Sequence, residues 1–353
     1  MKRIESIDFL KGIGIIAIVL CHFGAEYLSK SKLYLITNNF ASFVQLFFVI
    51  TTFLCIRSLQ KIDINSRYEQ FSWFKGHLIK LIPVYYLSII CYITYELLWS
   101  SPPQKNFSHG DIFNIITHFS FTNGFIPAYS NTLIWVGWYV AALPILYIIL
   151  IVYYRFLEIL PNFKYTYLYI FSLSICFISF FASFVFKGDE VVAYFRRFSI
   201  WAQMPVIVLG IIVFHVNDKL QELSLEQRKA LSSMLKCISL SLLVGMLVVN
   251  IPSPIRQITY GICFSFILIS FLAYYKFHVG SRLFEIMGKH SYSIYLMHPL
   301  VIRFVTSMNL HAPNYVNFLI VILICFVGAI FLHQIYEIPM QRIMNKKISG
   351  SSE

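Results

Sequence analysis

The chain has 353 residues, of which 58% are hydrophobic, 18% aromatic and only 12% charged, with a formal net charge of +12. A soluble domain carries roughly a quarter charged residues, so this composition excludes an ordinary soluble protein and indicates a polytopic membrane protein. The positive charge lies in short segments between apolar runs, as a positive-inside bias requires, and nothing in it calls for nucleic acid as a partner.

A membrane-crossing helix needs about 20 mostly apolar residues. Such runs are expected at 7–27, 38–59, 77–99, 132–156, 165–186, 196–215, 231–250, 256–276, 290–307 and 315–337. The fold expected is all-α, a polytopic helical bundle of about ten spans forming one domain over 1–345, with 346–353 as a disordered tail. Between the spans, eighteen Lys and Arg fall on the side of the N-terminus and eight on the other. That asymmetry places both termini in the cytoplasm. In the longest loop away from the cytoplasm, 100–131, the stretch DIFNIITHFSF is expected as a short re-entrant or interfacial helix.

The opening MKRIESIDFLKG carries charge into its apolar run and has no clean small-residue cleavage site. It is expected as a retained first helix, not a removed signal peptide. All seven cysteines lie in apolar stretches and none forms a CxxC pair. They indicate neither a disulfide framework nor a metal site.

The first helix contains the most informative pattern. Lys11 and His22 are eleven residues apart, which is about three helical turns and ~16 Å of rise, so they share one face. Asp8 precedes Lys11 by three residues and Glu26 follows His22 by four, with Ile15 and Val19 between. Ionisable groups at membrane depth are costly and normally face the bundle interior. Two readings stay open. Asp8 and Lys11 sit at headgroup level while His22 hydrogen-bonds a neighbouring helix; or His22 is a general base or nucleophile in a polar cavity, oriented by Glu26.

IDFLKG followed by His22 resembles the first helix of the membrane acyltransferase 3 family, whose pattern is Leu-Asp-x-Leu-Arg-Gly, ten positions after the basic residue, then His. FFVITTFL at 47–54 resembles the family's Phe-Phe-Val-x-Ser-Gly-Phe-Leu, with Thr51 and Thr52 in place of Ser and Gly. KGHLIKLIPVYYL at 75–87 resembles its basic segment Arg-x-x-Arg-Ile-x-Pro-x-Tyr, with His77 and Lys80 at the basic positions. WYVAALPILYIIL at 138–150, GKHSYSIYLMHPLVI at 288–302 and HQIYEIPMQRIMNK at 333–346 resemble its later motifs. Together they cover residues 5 to 342.

The resemblance implies a stand-alone acyltransferase of the bacterial inner membrane. Acyl-coenzyme A, expected as acetyl-coenzyme A, would be the donor, and no metal is involved. A cell-envelope or exported carbohydrate, free or lipid-linked, would be the acceptor, and assembly with itself or with glycan-synthesis partners is left open. His22 would act in transfer. Lys11, Lys75, His77 and Lys80 are expected to hold the donor's phosphates, with the positive end of the third helix nearby; ordinary positive-inside anchoring is the alternative for each of them. Tyr295 and His298, three residues apart on one face, are expected to contact substrate or hydrogen-bond between helices. Glu337 is expected to pair with a basic loop residue. A transporter or flippase of a lipid-linked sugar, or a silent scaffold of a polysaccharide-synthesis complex, would fit ten spans as well.

Overall fold

A computed structural model describes residues 4–99, 112–130, 132–159, 170–175, 177–178, 181, 190–249, 251–252 and 255–349. Among the described residues there is no strand, in keeping with a hydrocarbon solvent that leaves backbone polar groups no partner outside the helix itself. In chain order the helices are α1 (Glu5–Tyr27), α2 (Tyr34–Asn39), α3 (Val44–Leu59), α4 (Arg67–Trp99), α5 (Ile112–Phe119), α6 (Gly137–Ile159), α7 (Glu190–Phe198) and α8 (Ile200–Leu220). They continue with α9 (Leu225–Leu247), α10 (Ile255–Ala273), α11 (Ser281–Lys289), α12 (Ser291–Ser307), α13 (Asn314–Leu332) and α14 (Ile338–Ser349).

Among the described residues, eight stretches are long and apolar enough to cross a membrane: 5–27, 34–59, 67–98, 137–159, 192–220, 225–247, 255–273 and 314–345. Each overlaps an expected span. Of the other two, 290–307 is the 17-residue helix α12, and 165–186 lies largely outside the described residues.

Two helices begin earlier than hydropathy suggests, for a capping reason. α4 starts at Arg67, ten residues before the expected 77. The Ser66 hydroxyl accepts from Glu69 N at 3.3 Å, and Glu69 reaches back to accept from Asp63 N at 2.7 Å. α9 starts at Leu225, where Ser224 and Gln227 form a complete capping box. Both are Ser-x-x-Glu/Gln signatures of a helix start. At the other end of the chain, α14 runs to Ser349, into the stretch expected as tail.

The chain divides into two compact units, Met1–Ser58 with Gln203–Phe326, and Leu59–Ala202 with Val327–Glu353. The first unit is organised by α1. α1 crosses α11 with a glycine on each side: a Cβ on Gly12 would overlap the Phe284 carbonyl, and one on Gly288 would overlap the Asp8 carbonyl. Such close approach of small residues is the usual source of packing energy where lipid removes the hydrophobic drive. Thr52, which stands where the family pattern has Gly, is fully buried. The space it needs comes from Gly210 on α8, whose absent Cβ would sit 2.6 Å from the Thr52 Cβ. The small residue has moved to the opposite helix. Asn39 donates to the Leu247 and Val249 carbonyls at 2.8 and 3.3 Å, satisfying the C-terminal end of α9.

In the second unit, the short helix expected within 100–131 is α5. Its end is held to α4 by the Tyr86 hydroxyl, which donates to the Phe119 carbonyl at 2.7 Å, and by Tyr85 stacking on Phe121 at 5.0 Å. Phe121 sits at φ 60°, a strained position for a bulky side chain. His118 is fully buried, with Nδ1 2.9 Å from the Asn114 carbonyl.

Candidate active site

The polar stripe of α1 faces inward. Ile15 and Val19 are both 0% exposed and Asp8 is 4% exposed, while Lys11 and His22 are half-buried. The stripe ends at Glu26, which is exposed and has no hydrogen bond or ion pair with any described residue. The expected His22–Glu26 partnership is therefore not formed: one turn beyond His22 the helix has left the packed interior, and an exposed carboxylate gains little from holding its side chain back toward a half-buried ring.

The neighbour of His22 is His298. Their rings lie 5.0 Å apart, centroid to centroid, tilted by 54°. They come from α1 and α12, 276 positions apart in sequence, which are tied together above the pair where the Thr306 and Tyr27 hydroxyls meet at 3.0 Å. His298 is completely buried, deeper than His22.

The backbone of α12 fixes the chemical state of His298. Its Nδ1 lies 2.7 Å from the Tyr295 carbonyl and 3.3 Å from that of Ile294. Carbonyls only accept, so Nδ1 carries the proton and Nε2 presents a lone pair. The Tyr295 carbonyl is accessible to it because residue 299, which would normally donate to that carbonyl, is proline. Pro299 vacates an acceptor and His298 fills it. Nε2, fully buried, has no hydrogen-bond partner among the described residues. Tyr295 shares the face as expected, its ring 5.9 Å from that of His298.

Of the expected phosphate-binding residues, Lys11 is on α1 in the first unit, while Lys75, His77 and Lys80 lie in the second unit and are arranged otherwise. Because α4 starts at Arg67, residues 75, 77 and 80 are about two to four turns inside the helix. The expected proximity of its positive end is thereby corrected, since dipole and free N–H groups act only over the first turn. His77 is held by packing: Nδ1 is 2.8 Å from the Trp73 carbonyl, and the ring lies 4.0 Å from Trp73 and 5.1 Å from Tyr147. Lys75 stands over the Phe71 ring at 5.8 Å, and Lys80 is exposed. Five residues separate the two lysines, which puts them on different faces of α4. Glu337 lies in a π-helical turn, His333–Glu337, and accepts from His333 Nδ1 at 3.0 Å and from Gln341 at 3.2 Å. Two of its partners thus come from its own helix.

Sequence reasoning singled out His22 and His298 separately and missed their pairing. A signal was present: each is a histidine inside an apolar run, and the second is followed by a proline that frees a carbonyl for it. Among the described residues no group of three His, Cys, Asp or Glu side chains gathers to hold a metal ion.

An all-α bundle of membrane-length helices, with His22 and His298 packed side by side between α1 and α12, defines a multi-pass membrane protein. The family model described as an acyltransferase domain, that of the acyltransferase 3 family, matches residues 4–334, and the chain belongs to that family. It is a multi-pass membrane acyltransferase. No curated protein and no solved structure matches the chain.

Proposed function

We propose that the protein moves an acyl group, acetyl in the simplest case, from acyl-coenzyme A to a hydroxyl of a cell-envelope or exported carbohydrate, with His22 as the general base and His298 as the group that positions it. The observation that carries this reading is the fixed tautomer of His298, which leaves Nε2 as a lone pair on a ring whose centroid lies 5.0 Å from that of His22. In the proposed mechanism His22 turns one of its N–H groups to that lone pair during turnover. The other His22 nitrogen is then a lone pair directed at substrate, the state a base requires.

In the reaction, the acceptor hydroxyl gives its proton to His22 as its oxygen attacks the thioester carbonyl. A C–O bond forms, the C–S bond breaks, and the departing thiolate takes the proton from the imidazolium. His298 holds the second N–H of that imidazolium throughout. It takes the place foreseen for Glu26, and does so inside the bundle, where low dielectric strengthens the hydrogen bond. Support for acyl transfer over lipid-linked sugar transport comes from the family match and from a pair of groups suited to moving one proton.

The test uses purified protein in vesicles with radiolabelled acetyl-coenzyme A and an envelope-carbohydrate extract. His22→Ala is expected to lower transfer by about 10³-fold, within the range for loss of a general base. His298→Gln is expected to lower kcat by about tenfold to a hundredfold with KM for the donor unchanged. Mass spectrometry during turnover should show no acyl-enzyme. Full activity in the His22 variant rejects the assignment, and an acylated His22 makes it a nucleophile instead.

A further inference from the structure

The first unit also contains a recess remote from the histidine pair. Its cavity is about 600 Å³, within the size range of small-molecule sites. It opens between the start of α1, the end of α3, the α8–α9 corner and the segment after α10, with Glu5, Arg57, Gln221, Arg228, Tyr274 and Tyr275 on its walls. Glu5 and His22 are seventeen residues apart on one helix, which is ~26 Å. A group bound in the recess therefore does not touch His22.

Two guanidinium groups face this space. Arg228 is held by its own geometry: Nε donates to the Ala273 carbonyl at 2.9 Å, so the fork is fixed and its terminal nitrogens remain for another acceptor. Arg57, half-buried in the last turn of α3, makes no hydrogen bond or ion pair with any described residue. The acidic wall residue, Glu5, forms no ion pair with either arginine. Tyr274 adds an aromatic face and is anchored through its carbonyl, which accepts from Ser232 at 3.2 Å and Lys236 at 3.4 Å. Planar forks with unspent donors beside an aromatic ring are the chemistry that recognises phosphoryl groups.

We infer that this recess binds a phosphoryl-bearing ligand through Arg57 and Arg228. Two sources share that chemistry: the diphosphate end of a soluble nucleotide carrier such as coenzyme A, and the headgroup of an anionic lipid. The inference does not rest on the histidine mechanism, since binding is read without turnover.

The full-length protein in neutral-lipid nanodiscs is titrated with coenzyme A and with inorganic pyrophosphate by calorimetry. A second arm measures thermal stabilisation on changing from phosphatidylcholine to phosphatidylglycerol discs. Arg57→Gln and Arg228→Gln are each expected to weaken binding by about tenfold, as loss of one charge-assisted contact does. Gln221→Glu, at an exposed wall position, places a carboxylate in the recess without disturbing packing and is expected to weaken binding similarly. Loss confined to coenzyme A and pyrophosphate identifies the nucleotide source, and loss confined to the phosphatidylglycerol effect identifies the lipid. If all three variants keep wild-type responses in both arms, the site is rejected. His22→Ala should bind as wild type, which separates this result from failure of the transfer mechanism.

Discussion

His298 belongs to the first unit and His77 to the second, yet their local settings are similar. Each is a buried or half-buried imidazole whose Nδ1 meets a carbonyl of its own helix, at 2.7 and 2.8 Å respectively. They differ in what the carbonyl and the free nitrogen have around them. The Trp73 carbonyl, in an uninterrupted stretch of α4, keeps its helical donor, so His77 adds a second bond to a satisfied group between two aromatic rings. The Tyr295 carbonyl has lost its donor to Pro299, and the ring of His298 packs 5.0 Å from another imidazole. Backbone anchoring of a histidine is thus a general device for choosing a tautomer. Chemistry requires a further reactive group beside the nitrogen left over.

That contrast is most sharply tested by pairing His22→Ala with His77→Phe. The first should remove about 10³-fold of transfer activity, roughly 4 kcal/mol of barrier, and the other less than about tenfold. Equal losses would mean that the aromatic cage around His77 belongs to the site.

His118, the third anchored imidazole, lies outside the membrane-spanning helices. Burial holds it down to about 4 from the usual 6.5, against the pull of the Asn114 carbonyl. Between those values the unfolded chain binds the extra proton and the folded one does not. Its contribution is therefore complete above pH 6.5 and is lost as pH falls toward 4, on the order of 3 kcal/mol in all. Denaturant unfolding in detergent across that range should show the decline, and His118→Gln should flatten it.

Glycines divide the same two regions. Gly288 is expected to cost about 1–3 kcal/mol when changed to Ala, because the new Cβ meets backbone of α1. Gly76 on α4 has nothing within 4 Å, and Gly76→Ala should stabilise by up to about 1 kcal/mol through helix propensity. Thermal unfolding of the two variants side by side checks the sign of each.

Smaller still is Pro299→Ala, which restores an N–H to the Tyr295 carbonyl and weakens the hold on His298. We expect a few-fold loss of kcat and a pH–rate profile displaced from wild type, with folding intact. Glu26→Gln should leave transfer within about twofold of wild type. A loss as large as that of His298→Gln would restore Glu26 as the orienting group.

Much of the fold was written locally. Apolar runs of membrane length fixed the helices, and an eleven-residue spacing put Lys11 and His22 on one face that proves to be the inner one. The early starts of α4 and α9 were legible as well, in Ser66-x-x-Glu69 and Ser224-x-x-Gln227, but hydropathy conceals them because a helix projecting beyond the bilayer has no apolar signal. Gly210 opposite Thr52 was not legible, since the glycine that makes room lies on another helix.

The amino-acid sequence by itself determined the class of protein, its family and which histidine to suspect, because periodicity, hydropathy and motif order are properties of neighbouring residues. Only the tertiary structure decided that His298, not Glu26, stands beside His22, and that Arg57 and Arg228 open onto one recess. Both are meetings of distant segments, brought about by how helices pack, and helix packing is set by close-range shape that no single stretch of chain records.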